Sequence, residues 1–127
     1  MRRGALVVAP NRDATYPEPT GLIPGTGAAV AALESAANTE AIVVGKPAPD
    51  LIISAMQRVG ASPATTVMIG DSPVTDIAAA RAAGVRSILM LTGVTNEEEA
   101  AALPTSLSAT YVARDAEELS ALLAEMS

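Results

Sequence analysis

At 127 residues with a formal net charge of −6, and half hydrophobic with two tyrosines as its only aromatic side chains, the chain suits one domain packed from small aliphatics. Its acidity and lack of aromatic surface argue against nucleic-acid binding, which needs a basic face and stacking platforms. With neither Cys nor His in the sequence, disulfides, thiolate sites, zinc catalysis and His-based triads are excluded, so any metal must be held by oxygen.

Arg2-Arg3 ahead of the apolar run Ala5 to Ala9 faintly mimics a signal peptide, but the run is too short for one. No segment is long enough to span a bilayer, so a soluble, cytoplasmic protein is expected. Ala5 to Ala9 reads as a first buried strand, stopped by Pro10. Residues 11–25, with Pro17, Pro19, Pro24 and Gly21, read as a loop with stiff turns. From Thr26, the expected cap, Ala29, Val30 and Leu33 recur at helical spacing. Ala41 to Val44 is a second strand and ends in Gly45-Lys46-Pro47. Pro49 opens a helix whose Ile52, Ala55, Met56 and Val59 form an apolar stripe, with Gly60 as its stop.

Thr66 to Ile69 is a β-branched, apolar run, expected to be a strand buried on both faces of a parallel sheet. Gly70 ends it and Asp71 stands at its carboxyl end. Ser72 is expected to cap, and Pro73 to open, a helix that carries Ile77, Ala80 and Ala83 back over the sheet to Gly84. Arg86 to Leu91 is the next strand, and Thr92-Gly93-Val94 after it reads as a plain turn. Thr95 to Glu98 is a capping box before a short helix over 99–103. Thr110 to Val112 is a last brief strand. Asp115 to Glu118 is a second box, opening a helix with Leu119, Leu122, Leu123 and Met126 on one face. This alternation predicts an α/β fold, a Rossmann-like parallel sheet with helices on both faces, as a single domain over 1–127.

Ligands in open α/β sheets bind outside the carboxyl ends of the strands, where Asp71 stands. Asp76, in the first turns of the following helix, can face the same spot. Two carboxylates on one short loop make a hard-oxygen site of the kind Mg²⁺ takes, completed by water and a substrate phosphate. The competing reading is structural, since Asp is a common turn residue and acids favour a helix's first turn. Lys46 is the one lysine among seven arginines. At its strand end it could reach the same sheet edge and neutralise phosphoryl oxygens. The alternative is a surface lysine in a turn.

The string Gly70-Asp71-Ser72-Pro73-Val74-Thr75-Asp76 resembles the fourth motif of the haloacid dehalogenase (HAD) superfamily, GDxxxTD, and Gly45-Lys46-Pro47 resembles its third. Together with GALVVAPNRDATYP, the Gly/Pro-rich stretch after it and ILMLTGV, they make the chain similar to the carboxyl-terminal part of a NagD-like or p-nitrophenylphosphatase-like phosphatase with a C2-type cap. The resemblance implies a HAD-like core, incomplete here, and Mg²⁺-dependent hydrolysis of small phosphorylated metabolites through an aspartyl-phosphate. It implies Asp71 as a metal ligand and Asp76 as a second ligand or a partner orienting the site. Lys46 becomes the catalytic clamp on phosphoryl group and nucleophile. Asn11 to Asp13 would be the return from cap to core at the pocket rim, with an Asx turn as the equal alternative, and Thr92-Gly93, at the end of the next strand, could also line the pocket, a plain turn being the preferred reading.

The chain departs from the family pattern at the nucleophile. Its five aspartates, Asp13, Asp50, Asp71, Asp76 and Asp115, include no pair one residue apart, and position 11, which has the spacing, is an amide. The chain alone is therefore expected to be catalytically incomplete. The Thr66 to Ile69 strand would keep an unpaired edge, open to another copy of the chain or to a complementing amino-terminal segment. The alternative function is a non-catalytic Mg²⁺- or phosphate-binding or assembly module with the same fold. A phospho-receiver domain shares the residue types, but it places its lysine after the key acid, opposite to Lys46 and Asp71. Neither a nucleic acid nor a membrane is an expected partner.

Overall fold

The chain falls into two units, one up to Lys46 and the other from Pro47, in the computed structural model, which describes residues 4–126 apart from the side chain at position 17. Arg2 and Arg3, the faint signal-peptide mimic, lie outside the described residues.

In the first unit the run ending at Ala9 yields only a two-residue strand, β1 (Val8–Ala9). The stretch expected to be a loop is instead an antiparallel hairpin of β2 (Thr15–Glu18) and β3 (Gly21–Pro24), with Tyr16 opposite Ile23. Its prolines are tolerated because each strand of a two-stranded ribbon has a free edge, where a missing N–H breaks no ladder. Gly21 at the turn has φ 136°, which disfavours any residue with a Cβ. Helix α1 (Thr26–Ala37) takes Gly25, not Thr26, as its N-cap. A Cβ on Gly25 would collide with the carbonyl of Asp13, and one on Gly27 with that of Arg12, so the helix start lies directly on the segment after β1. Strand β4 (Ile42–Val43) pairs in parallel with β1, and Ala9, Val30 and Ala41 form the core of this unit.

In the second unit α2 (Asp50–Val59) closes at Gly60 in the left-handed region, as expected. Its apolar stripe is only half covered: Met56 is buried and Ile52 half-buried, while Ala55 is exposed and Val59 is 77% exposed. Met56 packs with Ala80 and Val85, and Ile52 and Met68 lie against them. Strands β5 (Val67–Gly70), β6 (Arg86–Met90) and β7 (Tyr111–Ala113) form a parallel sheet in that order, with Ile69 opposite Ile88 and Ile88 opposite Tyr111. β5 is an edge of this sheet. The expected burial on both faces is not met, because Met68 turns to the Met56 cluster while Ile69 on the other face stays 39% exposed.

The helix expected to begin at Pro73 opens as a π-helical turn (Pro73–Ile77) and only then becomes α3 (Ala78–Ala83), which Gly84 ends. Helix α4 (Glu97–Ala101) is capped one residue later than the spacing predicts. Asn96 is its N-cap: its Oδ1 accepts the N–H of Glu99 at 2.9 Å, and Glu99 accepts the N–H of Asn96 at 3.0 Å. Helix α5 (Ala116–Glu125) is capped by Asp115, which accepts the N–H groups of Glu117 and Glu118. The fold is mixed α/β with parallel sheets, as the alternation of elements implied. Among the described residues no helix is long and apolar enough to cross a membrane.

Candidate functional site

The loop after β5 is organised by a side chain. Asp76, only 2% exposed, turns its carboxylate back so that Oδ2 accepts the N–H groups of both Asp71 and Ser72 at 3.1 Å. The capping expected of the Ser72 side chain is not made. Ser72 offers its carbonyl instead, to the N–H of Asp76 at 2.8 Å and that of Ile77 at 3.3 Å. The second of these bonds spans five residues, which is the π pairing that widens the turn. Gly70 makes the arrangement possible: a Cβ there would overlap the Asp76 side chain. Bonds from backbone N–H groups to an ionised carboxylate are of the stronger, charge-assisted kind.

Asp71, half-buried at the carboxyl end of β5, is held from the other side by the loop between β6 and α4. Its Oδ2 accepts the N–H of Val94 at 3.1 Å, and its carbonyl accepts the hydroxyl of Thr95 at 2.7 Å. Gly93 lies so close that a Cβ would overlap the Asp71 carboxylate. Among the described residues, Asp71 Oδ1 accepts no hydrogen bond. From the sequence, Thr92-Gly93 reads as a plain turn with pocket lining as the alternative, and Thr95 as a helix cap. The available signal was a glycine just past a strand end at the sheet edge that carries Asp71.

The other expected site residues belong to the first unit. Asn11 Oδ1 accepts the N–H of Asp13 at 3.2 Å, which is the Asx-turn alternative, and the Asp13 carbonyl accepts the N–H of Gly27 at 2.8 Å. Between them Arg12 forks onto Glu34, at 3.1 and 2.7 Å, and Glu34 also accepts the N–H of Ala41 at 2.7 Å. The hydrogen bond from Arg12 holds the Glu34 carboxyl below its ordinary range and raises the guanidinium in turn. Lys46 is exposed just beyond β4. Gly45 before it is buried, and a Cβ there would collide with the carbonyl of Pro10. Asp71 and Asp76 are thus brought together in one loop of the second unit, and Asn11 and Asp13 in one turn of the first.

Elsewhere in the second unit, Arg114 bridges Glu97 at 3.1 Å and Glu118 at 2.8 Å beside an open cleft lined by Leu91, Ala100 and Val112. Hydrogen bonds from the Arg114 backbone and side chain lower the Glu118 carboxyl. Among the described residues no group of three or more acidic, His or Cys side chains is placed to hold a metal ion. A hard cation at Asp71 would take its remaining ligands from water or substrate oxygens, as small divalent ions with one or two carboxylates do.

A HAD-hydrolase-like family model matches residues 43–119. The D-glycerol 3-phosphate phosphatase of Mycobacterium tuberculosis is 42% identical over 115 residues, which are 91% of this chain and 32% of that protein. Human chronophin is 42% identical over 98 residues, 76% of this chain and 33% of its own length. Among solved structures, the p-nitrophenyl phosphatase of Archaeoglobus fulgidus matches with a TM-score of 0.85 at 31% identity, over 95% of this chain and 48% of that one. The glycerol phosphate phosphatase of M. tuberculosis in complex with magnesium matches with a TM-score of 0.83 at 41% identity, over 93% of this chain and 35% of that one. The chain spans about a third of the length of the curated relatives it matches.

Proposed function

Because the chain belongs to the HAD-hydrolase-like family, we propose that it is the carboxyl-terminal portion of a Mg²⁺-dependent, cytoplasmic phosphatase of small phosphorylated metabolites. The observation that carries this reading is the state of Asp71. It stands at a strand's carboxyl end with its N–H, its carbonyl and one carboxylate oxygen engaged, which leaves Oδ1 for a ligand. A half-buried carboxylate beside a second, buried one fits the hard-oxygen preference of Mg²⁺, and the matching M. tuberculosis phosphatase was solved with magnesium. Asp71 is the metal ligand in this reading, and Asp76 the partner that orients the loop. Lys46 is the clamp on the phosphoryl group, with Asn11 and Asp13 at the pocket rim. The bound ion would offset the charge of the phosphoryl oxygens.

We propose further that residues 1–127 act as one domain. The outer edge of β5 is the place where a second copy or a complementing amino-terminal segment adds a strand. A second reading, a non-catalytic Mg²⁺- or phosphate-binding module, draws on the lack of any two aspartates one residue apart. The first reading calls for metal binding and the second allows it, and both expect little turnover from these residues by themselves. The test is Mg²⁺ titration of the purified chain by thermal melting, alongside hydrolysis of p-nitrophenyl phosphate and glycerol 3-phosphate. We expect Mg²⁺ to raise the melting temperature of the wild type but not of Asp71→Asn, with little hydrolysis. Robust Mg²⁺-dependent hydrolysis lost in Asp71→Asn would overturn the expected inactivity. Indifference of the wild type to Mg²⁺ would overturn the metal site.

A further inference from the structure

We infer that the segment Gly93-Val94-Thr95 is a positioning device for Asp71, and that the Thr95 hydroxyl sets how well that carboxylate holds a divalent cation. The inference rests on the reading of Asp71 as a metal ligand and adds residues from a different part of the chain. Thr95 sits where a helix cap is expected, yet Asn96 does the capping, in a reciprocal pair with Glu99. The Thr95 hydroxyl is thereby released for other work. With Thr95 only 5% exposed, it donates to the Asp71 carbonyl at 2.7 Å. The next residue back, Val94, fixes the Asp71 carboxylate through its N–H, and Gly93 supplies the space in which that carboxylate lies.

Three consecutive residues thus engage Asp71 at its backbone and at its side chain, while Asp76 takes its N–H from the opposite side. One of these hydrogen bonds fixes the carboxylate and two fix the backbone that carries it, so binding a cation pays little ordering entropy. Outer contacts that orient a metal ligand typically change affinity by about tenfold or more when removed. Thr95 acts through Asp71 and is a positioning residue. The alternative is that its hydrogen bond merely closes the β6–α4 loop.

The two are separated by calorimetric titration of the whole 127-residue chain with Mg²⁺ alone, beside urea unfolding of each variant without metal. Thr95→Val keeps the shape and removes the donor, and Thr95→Ser keeps the donor. We expect Thr95→Val to weaken Mg²⁺ binding by about tenfold and Thr95→Ser to restore it to near the wild-type value. A folded Thr95→Val that binds Mg²⁺ like the wild type, while Asp71→Asn does not bind, overturns the positioning role and leaves the Asp71 reading standing. Binding that survives Asp71→Asn, or is missing from the wild type, removes that reading and the inference with it. Should Thr95→Val not fold, the wild type decides by NMR. The Val94 amide resonance must shift with the same half-saturation as the titration heat, and an unmoved Val94 amide at saturating Mg²⁺ overturns the inference.

Discussion

Truncating Asp76 to alanine should cost the second unit several kilocalories per mole. Its Oδ2 receives two backbone N–H groups at 3.1 Å, from Asp71 and Ser72. A hydrogen bond to a charged acceptor contributes about 1.5–3 kcal/mol net. Both donors belong to half-buried residues, so water reaches them in the variant and each bond counts near the lower figure. The sum is about 3 kcal/mol, a large share of the 5–15 kcal/mol typical of a whole domain. Asp76→Asn keeps an acceptor of the same shape without the charge, and should lose about half as much. Urea unfolding followed by circular dichroism reads both values, provided the slope with denaturant is unchanged. An alanine variant within about 0.5 kcal/mol of the wild type, the ordinary range for surface changes, would refute the bracing role. So would an asparagine variant as unstable as the alanine one.

Gly45→Ala places a methyl group on the carbonyl of Pro10. It should destabilise by about 2 kcal/mol, as overpacking does, and speed amide exchange at Ile42 and Val44, which donate to β1 and its flank; unchanged exchange at both would contradict the close packing. The Glu34 carboxyl is held below its ordinary range, chiefly by Arg12. Its contribution is therefore complete above the ordinary glutamate value and is lost as pH falls through the lower folded value. The stability gap between wild type and Glu34→Gln should accordingly close on acidification, and a gap constant from neutral to strongly acid pH would show that the fork contributes nothing through charge. Asn96→Ala should cost about 1 kcal/mol, the usual value of an N-cap, in the same urea assay. An unaffected variant would contradict the placement of the α4 cap.

Strands and helices were legible where apolar runs and helical spacing agree, as in α2 with its Gly60 stop and in β6. Local chemistry was harder to read, because several residues compete for each role. Ser72 reads as a cap, yet its side chain makes no cap bond, and the wider π turn instead carries the Asp76 carboxylate back onto the N–H groups of Asp71 and Ser72 ahead of the helix. Thr95 and Asn96 compete for the start of α4, and Asn96 wins by pairing with Glu99. The β2–β3 hairpin escaped notice because its prolines look like loop residues unless the strand is known to have a free edge. The pair Asp71 and Asp76 was visible as a motif on one loop. Of its support, Gly93 left a trace as a glycine just past a strand end, whereas nothing in the local pattern ties the Val94 N–H or the Thr95 hydroxyl to Asp71. Likewise Arg12 precedes the β2–β3 hairpin and Glu34 lies in the second half of α1, and spacing alone does not announce a fork.

The most direct measurement of the central claim is paramagnetic broadening of amide resonances by substoichiometric Mn²⁺ as a stand-in for Mg²⁺. The account predicts that Asp71, Ser72 and Val94 broaden first, and that Asp71→Asn abolishes the effect. Broadening centred on the acidic turn Glu97-Glu98-Glu99, or spread evenly over the chain, would contradict it.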